Sequence, residues 1–226
     1  MEEKGQLEDP REEFWKREFH RSNAEEWANA MSHFAGFVFG IFALTFMCVY
    51  AAQEGEVRKI VGNAIFGTTL VFLYNCSTLY HLIWKHKVKS VFQFLDHISI
   101  YLLIAGTYTP YTLWAMREHP VAGWTVFCTT WLLAAIGILV ECLLKPRREW
   151  LVVTIYLVMG WQVILVIDKV IAGLNTLGVV MLVVGGGVYT TGVIFYAFDN
   201  VPYMHTVWHG FVLAGSICHW VSVTFG

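Results

Sequence analysis

Seven apolar stretches, each about long enough to cross a bilayer, follow one another along this chain at short intervals: residues 29–51, 61–84, 92–115, 121–144, 150–167, 176–198 and 205–225. A helix rises 1.5 Å per residue, so about 20 apolar residues cover the roughly 30 Å hydrocarbon layer. Backbone in lipid must satisfy its own hydrogen bonds, which makes each stretch a predicted helix. The fifth is the shortest. The gaps are only a few residues long, so consecutive helices run antiparallel. The pattern predicts an all-α integral membrane protein, a seven-transmembrane helix bundle over residues 29–226, preceded by a charged segment at residues 1–28.

Composition excludes the soluble alternatives. The chain is 57% hydrophobic and 14% charged, whereas soluble domains carry about 25% charged residues. A net charge of −2 says nothing useful about an acidic partner; no nucleic-acid partner is expected of such a membrane chain. Nine of the 17 acidic residues fall in residues 1–28. That head is acidic where a signal peptide is basic, and it has no apolar core. Phe14, Trp15 and Phe19 among its charges fit a short helix on the membrane surface or a mobile charged tail. The five cysteines (Cys48, Cys76, Cys128, Cys142 and Cys218) are scattered through apolar segments without a CxxC pair. They read as buried thiols.

Basic residues orient the bundle. The head and the gaps after the second, fourth and sixth stretches hold eleven of them: Lys4, Arg11, Lys16, Arg17, Arg21, Lys85, Lys87, Lys89, Lys145, Arg147 and Arg148. The other side has four: Arg58, Lys59, Arg117 and Lys169. The positive-inside rule then puts the N-terminus in the cytoplasm and the C-terminus outside, in a plasma or bacterial inner membrane. G-protein-coupled receptors have the reverse orientation, so seven spans do not imply that class.

This topology gathers a set of ionisable residues. His205 and His209 are one helical turn apart at the cytoplasmic start of the seventh stretch. Ser77 and His81 share a face where the second stretch ends, and Asp96 stands where the third begins. All five are expected at one depth, and ionisable groups within a membrane point to function. Neutral imidazoles bind zinc, and three protein ligands leave a fourth position for water. A water so bound loses its proton near neutral pH and becomes a nucleophile. Asp96 suits the role of base, and Ser77 that of hydrogen-bond donor to an oxyanion. Each has a plainer reading: a histidine can cap a helix end, and a serine can bond back to its own helix carbonyl. Asp96 as a fourth ligand would close the site and make it structural.

Other polar residues are placed elsewhere. His219 is ten residues beyond His209, about 15 Å along the helix, and is expected to hydrogen-bond in the bundle interior. His97 is turned about 100° from Asp96, while His86 and His119 sit in gaps. Glu141 has Lys145 one turn on and is expected to pair with it. Gly185, Gly186 and Gly187 permit close helix approach, and Pro110 is expected to bend the third helix. In EEWANAMSH, Glu26, Asn29 and His33 share a face at the cytoplasmic end. They suit a polar layer behind the site or a cap on the bundle.

Three motifs, EEWANAMSH at residues 25–33, STLYH with LDH within residues 77–97, and HTVWHGFVLAGSICH at residues 205–219, resemble the hemolysin III branch of the progestin and adipoQ receptor (PAQR) family. The resemblance runs from about Glu25 to the C-terminus, and residues 1–24 match no motif of the family. It implies a zinc cofactor on His81, His205 and His209, with Ser77 and Asp96 as the remaining site residues. The wider group includes alkaline ceramidases, implying hydrolysis of a lipid amide with a ceramide-like substrate arriving from the membrane lipid. Relatives described as receptors imply a second reading, a membrane receptor or stress sensor braced by a structural zinc. A pore-forming haemolysin, the third, lacks a polar stripe along any span.

Overall fold

In the computed structural model, described for residues 21–144 and 147–226, long helices carry almost all of the described residues. The surface helix expected around Phe14, Trp15 and Phe19, and the Glu141–Lys145 pair, lie outside the described residues. Helix α1 (Asn23–Glu54) begins ahead of its apolar stretch because a capping box starts it. Ser22 Oγ accepts from the Glu25 N–H at 3.3 Å, and the Glu25 carboxylate accepts from the Ser22 N–H at 2.9 Å. It stops at Gly55, whose φ of +74° is in the left-handed region. Helix α2 (Val57–Leu82) returns alongside it, and α3 (His86–Pro110) follows. Pro110 falls at the end of α3, where the chain continues as a π-turn over Tyr111–Ala115. Helix α4 (Pro120–Leu143) opens on a proline, whose missing N–H is harmless in a first turn.

The fifth apolar stretch forms one broken rod: α5 (Glu149–Trp161), a 3₁₀ segment (Gln162–Val166) and α6 (Ile167–Ala172). Tyr108 from α3 braces the break. Its hydroxyl donates to the Gly160 carbonyl at 2.7 Å and accepts from the Val163 N–H at 2.9 Å, satisfying backbone groups that lipid would leave unpaired. Tyr108→Phe is expected to cost about 1–3 kcal/mol, read as a lower thermal midpoint in detergent with unchanged metal content. Helix α7 (Thr176–Ala197) is capped by the Asn175 side chain, and α8 (Met204–Phe225) closes the fold.

Six of these rods are long and apolar enough to cross a membrane. Helix α8 has the length, but His205, His209 and His219 lower its apolarity. Helices α1, α2 and α3 pack in sequence, α7 lies along α8, and α1 also contacts α8. Close approach of α1 and α2 depends on Gly36, where a Cβ would sit 2.4 Å from Cδ1 of Tyr74. Met47, Phe66, Leu70 and Tyr74 fill the core between these helices. Phe42, Trp124, Leu132 and Leu165 are exposed on the outside, as lipid-facing side chains are.

Candidate metal centre

The last turn of α2 carries His81, and the first turns of α8 carry His205 and His209. Each of the three rings offers a nitrogen, and these nitrogens lie within 4.8 Å of one another. Ring centroids are 5.3 Å apart for His81–His205, 5.2 Å for His81–His209 and 4.5 Å for His205–His209. The helices bring the three histidines expected as ligands to one point.

The opposite edge of each ring is already engaged. His81 Nδ1 lies 2.8 Å from Glu26 Oε2, and His205 Nδ1 lies 2.9 Å from Asp199 Oδ1. His209 Nδ1 lies 3.2 Å from the Asn29 carbonyl and 3.0 Å from Ser32 Oγ. Nδ1 as donor to these oxygens leaves Nε2 as the nitrogen each ring would present to a metal. Metal-bound histidines in proteins are held in this way, because the outer hydrogen bond fixes tautomer and orientation. The Nε2 of His81 is buried and has no hydrogen-bond partner among the described residues, an unfavourable state for an acceptor that a cation would relieve. Three imidazoles with their outer edges braced fit zinc.

Helix α1 provides no member of the triad but much of its support. Glu26 also receives Lys89 Nζ at 3.2 Å, and Asn29 Oδ1 receives the Thr206 hydroxyl at 2.5 Å. His33 stacks on His209, centroids 3.4 Å apart and planes 12° apart, and meets the edge of Tyr74. It stays outside the group of three. Glu26, Asn29 and His33 therefore stand around the triad rather than at a separate cap.

Ser77 and Asp96 line the same cavity as His205 and His209. Ser77 is fully buried, and its hydroxyl has no hydrogen-bond partner among the described residues. Asp96 lies outside the group of three histidines. The cavity has a volume of about 1400 Å³ and extends from the histidines past Leu73, Leu103, Val126, Leu182 and Val212. At its far end His219 stacks on Tyr189 and lies 3.4 Å from the Tyr111 hydroxyl, the interior polar contact expected of it.

Several supporting residues escape a reading of spacing alone. Glu141 pairs with Arg147, whose Nε lies 3.1 Å from Oε1, and His97 is 4.0 Å from the same carboxylate. Asp199, in the loop before α8, pairs with Arg21 as well as His205. Burial pushes the Asp199 carboxyl up, but His205 and Arg21 more than offset this and hold it at about 2. A depressed carboxyl contributes stability above its unfolded value and loses it on acidification, so this contact weakens only as pH falls toward about 2. The available signal was the acid itself, close before His205 in the short polar gap FDNVPYMH.

Comparison with known proteins agrees with this architecture. A family model described as Haemolysin-III related matches residues 21–220. The chain is similar to a hemolysin-3 homolog of Bacillus subtilis (strain 168), 39% identical over 201 residues, or 89% of this chain and 93% of the relative. Hemolysin-3 of Bacillus cereus is 38% identical over 89% of this chain and 91% of its own. Monocyte to macrophage differentiation factor of Homo sapiens is 31% identical over 70% and 67% respectively. With its apolar helices and a match across nearly all described residues, the chain is a multi-pass integral membrane protein of the haemolysin-III-related family.

Proposed function

We propose that the protein is a zinc-dependent hydrolase of lipid amides, acting on ceramide-like substrates near the cytoplasmic face of a seven-span bundle. The observation that carries this reading is the braced histidine triad at one end of a large apolar cavity. His81, His205 and His209 would hold the ion. Zinc there would supply Lewis acidity toward the amide carbonyl and make water acidic enough to attack near neutral pH.

The chain's own groups do the rest. The Asp96 carboxylate takes the proton of the attacking water and delivers it to the departing amine. Ser77, its hydroxyl not otherwise engaged, donates a hydrogen bond to the carbonyl oxygen as negative charge grows there. The apolar walls hold the acyl chain and exclude bulk water. That Asp96 lies outside the three-nitrogen group favours an open site over a closed structural one. The test is metal analysis of purified protein together with release of free fatty acid from a panel of ceramides. About one zinc per chain with fatty-acid release supports the reading. Zinc without hydrolysis of any lipid amide favours a receptor or sensor.

In this reading α8 is the seventh span, with the N-terminus cytoplasmic and the C-terminus external. The excess of basic residues on the N-terminal side supports the orientation. A topology reporter fused after Gly226 is expected to be active only outside the cytoplasm; activity confined to the cytoplasm would overturn the orientation.

A further inference from the structure

We propose that Arg21 and Glu25 are positioning residues for the metal centre, fixing the loop before α8 so that His205 is aimed at the other two histidines. The proposal rests on the three-histidine reading above. His205 is the second residue of α8, so the backbone just before it determines where its ring goes. That backbone is under strain. Tyr203, the residue that caps α8, has φ +64° and is the one non-glycine residue with positive φ among those described. A side chain in this region crowds its own carbonyl, so the conformation persists only where something outside the loop holds it.

The start of α1 provides that hold at two points. Glu25 Oε1 accepts from the Tyr203 N–H at 2.9 Å, while its other oxygen stays with Ser22 in the capping box. Arg21 Nη2 donates to Asp199 Oδ2 and lies 3.4 Å from His205 Nδ1. Asp199 uses its other oxygen on His205 Nδ1, at 2.9 Å. Guanidinium, carboxylate and imidazole thus form one chain, in which each group limits the orientation of the next. A carboxylate bonded to arginine on one oxygen cannot swing away from the histidine it faces. Neither Arg21 nor Glu25 belongs to the proposed ligand set or to the proton path, and both lie far from it in sequence. Their effect should therefore appear in metal affinity and ligand geometry before it appears in global stability.

The experiment uses the full chain in detergent. Zinc affinity is measured by competition with a chelator, ligand geometry by the visible absorption of the cobalt(II) form, and thermal midpoint for each metal-free protein. Arg21→Ala and Asp199→Asn are each expected to weaken zinc binding by roughly 10–100-fold and to alter the cobalt spectrum. The double variant should be little worse than the weaker single one, because both remove the same link. Glu25→Ala should act in the same direction, and Arg21→Lys, which retains the charge, should recover part of the affinity. Lys59→Ala serves as the control, since it breaks a comparable pair, Lys59–Glu54 at 2.8 Å, outside the metal centre. It should lower the thermal midpoint and leave affinity unchanged. Wild-type affinity and cobalt spectrum in Arg21→Ala and Glu25→Ala would overturn the proposal. So would an equal loss of affinity in Lys59→Ala, which would show that any destabilised bundle releases metal. If the unmodified protein binds neither metal, the three-histidine reading fails and this proposal fails with it.

Discussion

Asp96→Asn is expected to retain its zinc and to lose lipid-amide hydrolysis by at least roughly 100-fold. The substitution replaces an oxygen by a nitrogen at nearly constant volume. Asp96 is not in the group of three nitrogens, so metal content should be unaffected. An amide cannot take a proton from water, and the step assigned to the carboxylate would fail while the cavity still filled with lipid. Ser77→Ala removes a single hydrogen-bond donor and is expected to be milder, although a lost oxyanion donor can cost about 100-fold by itself. Metal content must be measured with turnover. Loss of zinc in Asp96→Asn would make the aspartate a ligand and the site structural. Full hydrolysis in that variant would sink the proposed mechanism.

His209→Ala is expected to have the larger effect on the metal itself, taking the protein from about one zinc per chain to almost none. Two imidazoles from separate helices would remain, and the Asn29 carbonyl and Ser32 hydroxyl that fixed the third ring would have no ring to hold. His33 would also lose the ring on which it stacks. His205→Ala should lose metal similarly, and the double variant should bind none. Full zinc occupancy in the double variant, measured by elemental analysis, would place the metal elsewhere. The helices should persist in these variants, because the apolar contacts around Met47, Phe66 and Leu70 do not involve the triad.

The parts of this architecture legible in the sequence are those with a local period. Apolar length announced the rods, and four-residue spacing placed His205 with His209 and Ser77 with His81 on common faces. The alternation of antiparallel helices put the end of α2 and the start of α8 on one side without any appeal to metal chemistry. Features that depend on contacts between distant segments were hidden. Lys89 reads as a loop charge, yet it is buried against Glu26. Arg21 reads as one more charge of an ionic head, yet it pairs with Asp199 at the far end of the chain. Nothing periodic marks the 3₁₀ break at Gln162–Val166, because the apolar run continues through it. Tyr108, which braces that break, stands on a different rod.

The division of labour among the helices bears on how such a centre is made. His81 is made early, on α2, whereas His205 and His209 are on α8, the last of the described helices. The oxygens bracing two of the rings are on α1, which is synthesised first. Until α8 is made, the growing chain holds that support and only one of the three grouped imidazoles, too little to retain an ion. The three imidazoles come together only when α8 packs against α1 and the end of α2. Any metal held there would have to be captured after α8 is made, and a chain cut short before Met204 would lack two of the three imidazoles.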